Sequence, residues 1–160
     1  MSRGAEKTNV MRLLDQKKVP YTARGYDPAV TEGVSVAELL GQDAEKVYKT
    51  LVTVSDKGAN FVFVVPVAAS LDLKKAAKAV GAKSLAMLRQ KELLPLTGYV
   101  HGGCSPLGMK KLFPTVLDES AEKRETICVS AGKVGFQVEL DPRRLAELAK
   151  ASFAPVTMEE

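Results

Sequence analysis

The chain has no tryptophan, one histidine and two cysteines in 160 residues. These scarcities exclude much of ordinary enzyme chemistry. A Ser-His-Asp or Cys-His mechanism would have to pass through His101, with Cys104 or Ser105 as nucleophile in the same irregular loop, where closeness in sequence does not ensure contact. The alternative for His101 is an exposed loop residue, and for Cys104 a small side chain that fits its loop. A zinc or iron centre wants three or four clustered His, Cys or carboxylate ligands, and no such set stands in the sequence, so neither metal nor cofactor is expected. Cys104 and Cys128 follow neither CxxC nor secreted-scaffold spacing, which suits a reducing compartment. No apolar run approaches the ~18 residues that span a bilayer. The opening Met-Ser-Arg-Gly-Ala-Glu-Lys also lacks the apolar segment of a signal peptide, so a cytoplasmic protein without membrane contact is expected. No GxxxxGK or GxGxxG follows a strand pattern, which removes the phosphate loops of triphosphate and dinucleotide chemistry.

Repeats, linkers and low-complexity tracts are missing too, and the length suits one core. The expectation is a single domain over 1–160 with loose ends near 1–6 and 155–160. Thr8 caps a helix that carries Val10, Leu13 and Leu14 on one face. Residues 21–26 read as a short strand, and Ser35 with Glu38 reads as a capping box for a helix closed by Gly41. A helical turn from Asp43 leads into a β-branched strand over 48–55. Residues 56–60 turn it back onto an antiparallel partner, 61–67. Residues 70–81 form the clearest helix, with Leu73, Ala76, Ala77 and Val80 inward. Residues 85–94 are partly helical. Three short strands follow at 115–118, 125–130 and 134–140, the last with Gln137 and Glu139 alternating against Phe136, Val138 and Leu140. Asp141 and Pro142 open a final helix. Hairpins interspersed with helices predict an α+β fold with a mixed, largely antiparallel, barrel-like sheet flanked by helices.

Two features carry candidate chemistry. Four of the twelve glycines and Pro106 fall between Gly98 and Gly108, before Lys110 and Lys111. Glycines 102 and 103 permit positive φ and close approach, so the amides of this loop can face an oxyanion; a tight strand connection is the alternative. Lys49 falls in phase with Val47 and Leu51 on a strand whose faces both read as apolar. It is either a fixed cation for a phosphate or carbonyl oxygen or a lysine that snorkels from a strand end. With no nucleophile or metal, the reaction must be undemanding. Opening an activated ester fits, because orientation and oxyanion stabilisation supply most of the acceleration. The net charge of +4 permits an anionic partner, and the lysine and arginine pairs at 17–18, 74–75, 110–111 and 143–144 could contribute to a phosphate-contacting surface.

Tyr48-Lys-Thr-Leu51, Leu71-Asp-Leu-Lys-Lys75, Gly98-Tyr-Val-His-Gly-Gly-Cys-Ser-Pro-Leu-Gly108 and Val129-Ser-Ala-Gly-Lys133, standing in that order, resemble the YbaK/EbsC family, whose best-known members are bacterial Cys-tRNA(Pro) deacylases. The likeness runs from about Lys7 to Ala154. It implies a compact α+β domain and trans-editing: removal of cysteine from mischarged tRNA(Pro), with prolyl-tRNA synthetase as partner and the aminoacyl-tRNA 3′ end as substrate. It places the essential lysine on Lys49, with Thr50 beside it, and the loop that holds the aminoacyl ester on Gly102, Gly103, Cys104, Ser105 and Pro106. Tyr26 and Ser130 match further pocket positions. Gln137 stands where the enterobacterial form has an aspartate; an amide cannot act as a base but can accept a hydrogen bond. The implied mechanism is attack of the substrate cysteine's thiolate on its own ester, with the Gly102 and Gly103 amides stabilising the oxyanion. Water-dependent removal of another small residue, such as alanine from Ala-tRNA(Pro), and a non-catalytic tRNA- or synthetase-binding module are the alternatives.

Overall fold

The computed structural model describes residues 6–30 and 32–158. The loose ends expected at 1–5 and 159–160 lie outside the described residues. The Thr8 side chain accepts from the Met11 amide at 3.3 Å and starts α1 (Asn9–Gln16), which buries Val10, Met11 and Leu14. A short strand β1 (Thr22–Gly25) follows. Helix α2 (Gly33–Leu39) begins two residues before the expected cap: Ser35 lies inside it and Glu32 occupies the cap position without a side-chain bond. The early start is a packing effect. A Cβ on Gly33 would lie 2.4 Å from Val67 Cγ1, so glycine alone lets the helix end sit on the chain leaving the next hairpin. Gly41, at φ 66°, ends the helix as expected.

Asp43 caps a 3₁₀ turn (Ala44–Lys46) that delivers the chain to β2 (Tyr48–Ser55). β2 and β3 (Asn60–Pro66) form the expected antiparallel hairpin, with Lys49 opposite Val65 and Val54 opposite Asn60. Val62, Phe63, Val64 and Val65 are all essentially inaccessible, because β3 is central and covered on both faces. Helix α3 (Leu73–Val80) starts later than the expected residue 70, at Asp72, whose carboxylate accepts from the Lys74 and Lys75 amides. Leu71 remains extended and bridges to Thr157, while Leu73 is exposed rather than inward; Ala76 and Ala77 form the buried face. The ambiguous segment resolves into β4 (Leu85–Met87), paired with β2, and α4 (Gln90–Thr97).

Beyond the glycine-rich loop come β5 (Thr115–Asp118), β6 (Ile127–Ser130), β7 (Phe136–Leu140), α5 (Pro142–Ala149) and a strand not foreseen, β8 (Ser152–Ala154). The strands make two sheets, β1-β7-β6 and β4-β2-β3-β5-β8. The β3–β5 and β5–β8 ladders are parallel and the others antiparallel, so the α+β class and the mixed pairing hold. Among the described residues the sheets meet at one parallel bridge, Val47 with Cys128, and the ladder does not close into a barrel. The segment 155–158, expected to be loose, is held: Val156 is fully buried and its amide donates to Asp118 at 3.1 Å, and the Met158 amide donates to the Ser70 carbonyl. Glu6 likewise pairs with Lys133 at 2.6 Å.

Candidate active site

The seam between the two sheets opens into a cavity of about 340 Å³, within the usual range of small-ligand sites. β2 contributes Lys49 and Thr50, the glycine-rich loop His101, Gly102 and Cys104, and the β6–β7 pair Ser130 and Gln137. Tyr26, the start of α2 and Leu93 of α4 complete the wall. Residues from the two sheets and two helices thus converge here, though most are far apart in sequence.

Lys49 and Glu32 are the charged side chains in the lining, Glu32 being exposed at the rim. Lys49 is half-buried and donates to the Val67 carbonyl at 3.3 Å, and it pairs with no carboxylate among the described residues. Burial pulls its pKa below the ordinary lysine value. Next to it, the Thr50 hydroxyl is buried without a hydrogen-bond partner among the described residues, a polar atom that a ligand could satisfy.

The glycine-rich loop divides the expected residues. Val100 to Gly103 form a β-turn closed by the Gly103 amide on the Val100 carbonyl at 3.0 Å, with Gly102 at φ 87° in the position that demands glycine. The Gly103 amide is therefore already engaged, and the residue is buried outside the cavity lining; a Cβ there would lie 3.0 Å from the Val134 amide nitrogen. Gly103 is a packing residue, not the second oxyanion donor that was expected. The Gly102 amide makes no hydrogen bond among the described residues, and Gly102 borders the cavity. Ser105 is fully buried, its hydroxyl accepting from the Leu107 amide, and Pro106 lines a separate small cavity with Leu13 and Leu148. Neither reaches the main cavity. Cys104 does, but burial pushes its thiol up to about 12, so it stays protonated at neutral pH. His101 is exposed at the rim.

Gln137 is 3% exposed, although along β7 it alternates with the buried Phe136, Val138 and Leu140. Its amide pairs reciprocally with that of Gln42, donating at 3.1 Å and accepting at 2.8 Å. Gln42 also approaches Cys128 Sγ at 3.7 Å. This partner escaped the sequence reading, since nothing local marks a glutamine whose contact lies 95 residues away. Asn9 and Tyr99 escaped as well. The Asn9 amide donates to the Tyr99 hydroxyl at 2.8 Å, and that hydroxyl donates to the Leu107 carbonyl, which ties α1 to the glycine-rich loop. Gly132, whose amide donates to the Ser130 hydroxyl, packs against the same Asn9 and Tyr99 side chains, so one small brace holds two walls of the cavity.

Comparison with known proteins places the chain in a family. The model of the aminoacyl-tRNA editing domain matches residues 27–148. A protein of Enterococcus faecalis, EbsC, named as a candidate Cys-tRNA(Pro)/Cys-tRNA(Cys) deacylase, is 48% identical over 97% of this chain and 96% of its own length. A proline–tRNA ligase of Shouchella clausii is 32% identical over 82% of the chain, a match that takes in 22% of that larger enzyme. Among solved structures, one described as a candidate trans-editing enzyme for prolyl-tRNA synthetase superposes with a TM-score of 0.82 at 25% identity, covering 99% of both chains. A likeness that spans the whole fold, together with a model match that takes in Lys49, Gly102, Ser130 and Gln137, makes this chain a member of the aminoacyl-tRNA editing domain family.

Proposed function

We propose that the protein is a trans-editing deacylase that removes cysteine from mischarged Cys-tRNA(Pro), with the substrate's own thiol as nucleophile. The observation that carries this reading is a cavity whose lining brings together Lys49, Gly102 and the unpartnered Thr50 hydroxyl, while burial keeps the Cys104 thiol of the same lining protonated. The substrate thiol loses its proton, and its sulfur bonds to the ester carbonyl carbon. The carbonyl oxygen takes the charge, facing the Gly102 amide, while the Lys49 ammonium anchors the terminal phosphate or that oxygen. Collapse breaks the bond to the ribose oxygen, which receives the proton given up by the thiol. Cysteine leaves as its thiolactone and the tRNA is discharged.

Selectivity follows from the same chemistry. A prolyl ester survives because it brings no thiol. The Gln42–Gln137 pair keeps the end of the cavity neutral, with hydrogen-bonding capacity left over for an uncharged side chain.

The test is a deacylation panel. Cys-tRNA(Pro) should be discharged and Ser-tRNA(Pro) spared, and Lys49→Ala should lose roughly 10²–10³ in kcat/KM, as the removal of one oxyanion-stabilising group does elsewhere. Equal rates on the two substrates would mean that water attacks. Full activity of Lys49→Ala would remove the cation from the mechanism.

A further inference from the structure

The net charge of the chain is concentrated in one segment. Between residues 82 and 113, Lys83, Arg89, Lys91, Lys110 and Lys111 stand against a single carboxylate, Glu92, so this stretch carries the entire net charge of +4 and the remainder of the chain balances to zero. From residue 93 to residue 117 there is no carboxylate at all. The segment contains β4, α4 and the glycine-rich loop, and thus the Leu93, His101, Gly102 and Cys104 wall of the cavity.

Pairing alone does not set this surface apart, since Lys17, Lys18, Lys57, Lys74, Lys78 and Lys123 also sit on no carboxylate among the described residues; what sets it apart is that residues 82–113 hold one carboxylate against five cations. Lys7, Arg24, Lys46, Arg124, Lys133 and Arg143 each sit on a carboxylate. Here only Arg89 does so, with Glu92 at 3.5 Å; Lys83, Lys91, Lys110 and Lys111 pair with none among the described residues. Two of these lysines are positioned by other means. Lys110 lies across the end of α4, with its amide on the Thr97 carbonyl, its stem against Gly98 and its ammonium 3.4 Å from the Pro95 carbonyl. The Lys111 ammonium sits 5.9 Å from the centre of the Phe113 ring. Beside these cations the surface exposes apolar side chains: Leu94 is 51% and Val100 47% exposed. Lys91 and Leu94, three residues apart, share the outer face of α4, while Leu93 on its inner side reaches the cavity. Unpaired cations interleaved with exposed apolar groups, on elements that also contribute Leu93 and His101 to the cavity lining, suit a polyanion whose unpaired bases offer apolar faces.

We infer that the face formed by Lys91, Lys110 and Lys111 binds the phosphate backbone of the RNA whose 3′ end enters the cavity, with Leu94 and Val100 packing against an unpaired base near that end. This rests on the proposed aminoacyl-tRNA substrate and adds where the tRNA lies on the protein. Since phosphate contacts position the strand without reading its sequence, this face grips any acceptor end alike.

The experiment compares the wild type with the triple variant Lys91→Ala, Lys110→Ala, Lys111→Ala. A control variant, Lys74→Ala, Lys78→Ala, removes exposed charge from α3 instead. Deacylation is measured on full Cys-tRNA(Pro) and on the cysteinyl ester of adenosine, over a range of salt. The triple variant is expected to raise KM for the tRNA with kcat retained and to leave the adenosine ester unaffected, while the control stays near wild type on both. Because the wild type neutralises three more phosphates than the variant, a roughly four-fold rise in salt should weaken it about 20–40-fold more. An unchanged KM and salt slope in the triple variant, with the wild type active on the tRNA, would overturn the RNA-binding face and leave the deacylase reading standing. Wild-type inactivity on every aminoacyl-tRNA would instead overturn that reading. An equal loss on the adenosine ester would show damage to the cavity, and a loss seen only with prolyl-tRNA synthetase present would assign the face to a protein partner; either result defeats the inference. Melting temperatures of the variants identify any loss caused by unfolding.

Discussion

Lys49 is a cation held in a partly dehydrated cavity with a carbonyl, not a carboxylate, as its neighbour. Burial makes its charged form costly, so it gives up its proton below the ordinary value of 10.5. A reaction that needs both the substrate thiolate and the Lys49 ammonium therefore rises as pH passes the thiol pKa, ordinarily about 8.5, and falls as Lys49 deprotonates. The kcat/KM profile for Cys-tRNA(Pro) should be bell-shaped, with its alkaline limb below 10.5. In Lys49→Arg, which stays charged throughout that range, whatever activity survives should lack the alkaline limb. A limb that persists in the arginine variant belongs to some other group. At this scale Lys49 stood out, because a cation in phase with Val47 and Leu51 is conspicuous on an apolar strand, but the strand alone left open whether it faces a ligand or snorkels to solvent. Gly102 and Gly103 were not separable. Glycine serves equally to free an amide for a ligand and to let two backbones touch, and only the contact with Val134 distinguishes the second use.

Among the elements, α2 matters most to the site although it was misjudged at its start. It rests on Val67, the residue whose carbonyl receives Lys49. A methyl group at position 33 is compatible with a helix but collides with Val67, so Gly33→Ala should push α2 away or move that carbonyl. Overpacking of this kind costs about 1–3 kcal/mol. Displacing a catalytic group costs rate as well, and kcat/KM is expected to fall roughly ten-fold or more. Val67→Ala in the Gly33→Ala background should recover much of the loss, which a double-mutant cycle on stability and kcat/KM would measure. Full activity of Gly33→Ala alone would show that α2 does not position Lys49. The Ser35–Glu38 pattern had the right residue types for a cap, yet a tertiary contact two residues upstream decided where the helix begins. By contrast, the starts of α1 and α5 were legible, because Thr8 and Asp141 bond amides of their own first turn: the cap lies within the pattern that predicts it.

At the scale of the whole molecule, Glu139 of β7 ties the smaller sheet to the turn that leads into the larger one. Its carboxylate takes Arg24 of β1 at 2.7 Å, Lys46 of the 3₁₀ turn before β2 at 2.6 Å, and the Thr126 hydroxyl. Burial alone would raise its pKa, but the bonds from Lys46, Thr126 and Arg24 outweigh that and hold it down at about 2. A carboxylate depressed in the folded state stabilises fully above its unfolded value of 4.5, and that contribution fades as pH falls toward about 2. Solvent screening reduces what the full shift would give, leaving a contribution on the order of 1–2 kcal/mol. Glu139→Gln should therefore unfold more easily at neutral pH and lose much of the wild type's decline in stability between pH 5 and 2, as denaturant titrations across that range would show. Equal pH dependence in both proteins would assign the acid sensitivity to other carboxylates. The β2–β3 hairpin, the caps of α1 and α5 and the mixed α+β class were all written in the sequence, since each depends on neighbours within a few residues or on the inventory of side chains. The parallel β3–β5 and β5–β8 pairings, the open seam between two sheets, the Gln42–Gln137 pair and the choice of loop residues facing the cavity came only with the tertiary structure. These join residues tens of positions apart, and such contacts are selected by how packed elements fit together, which leaves no periodic trace along the chain.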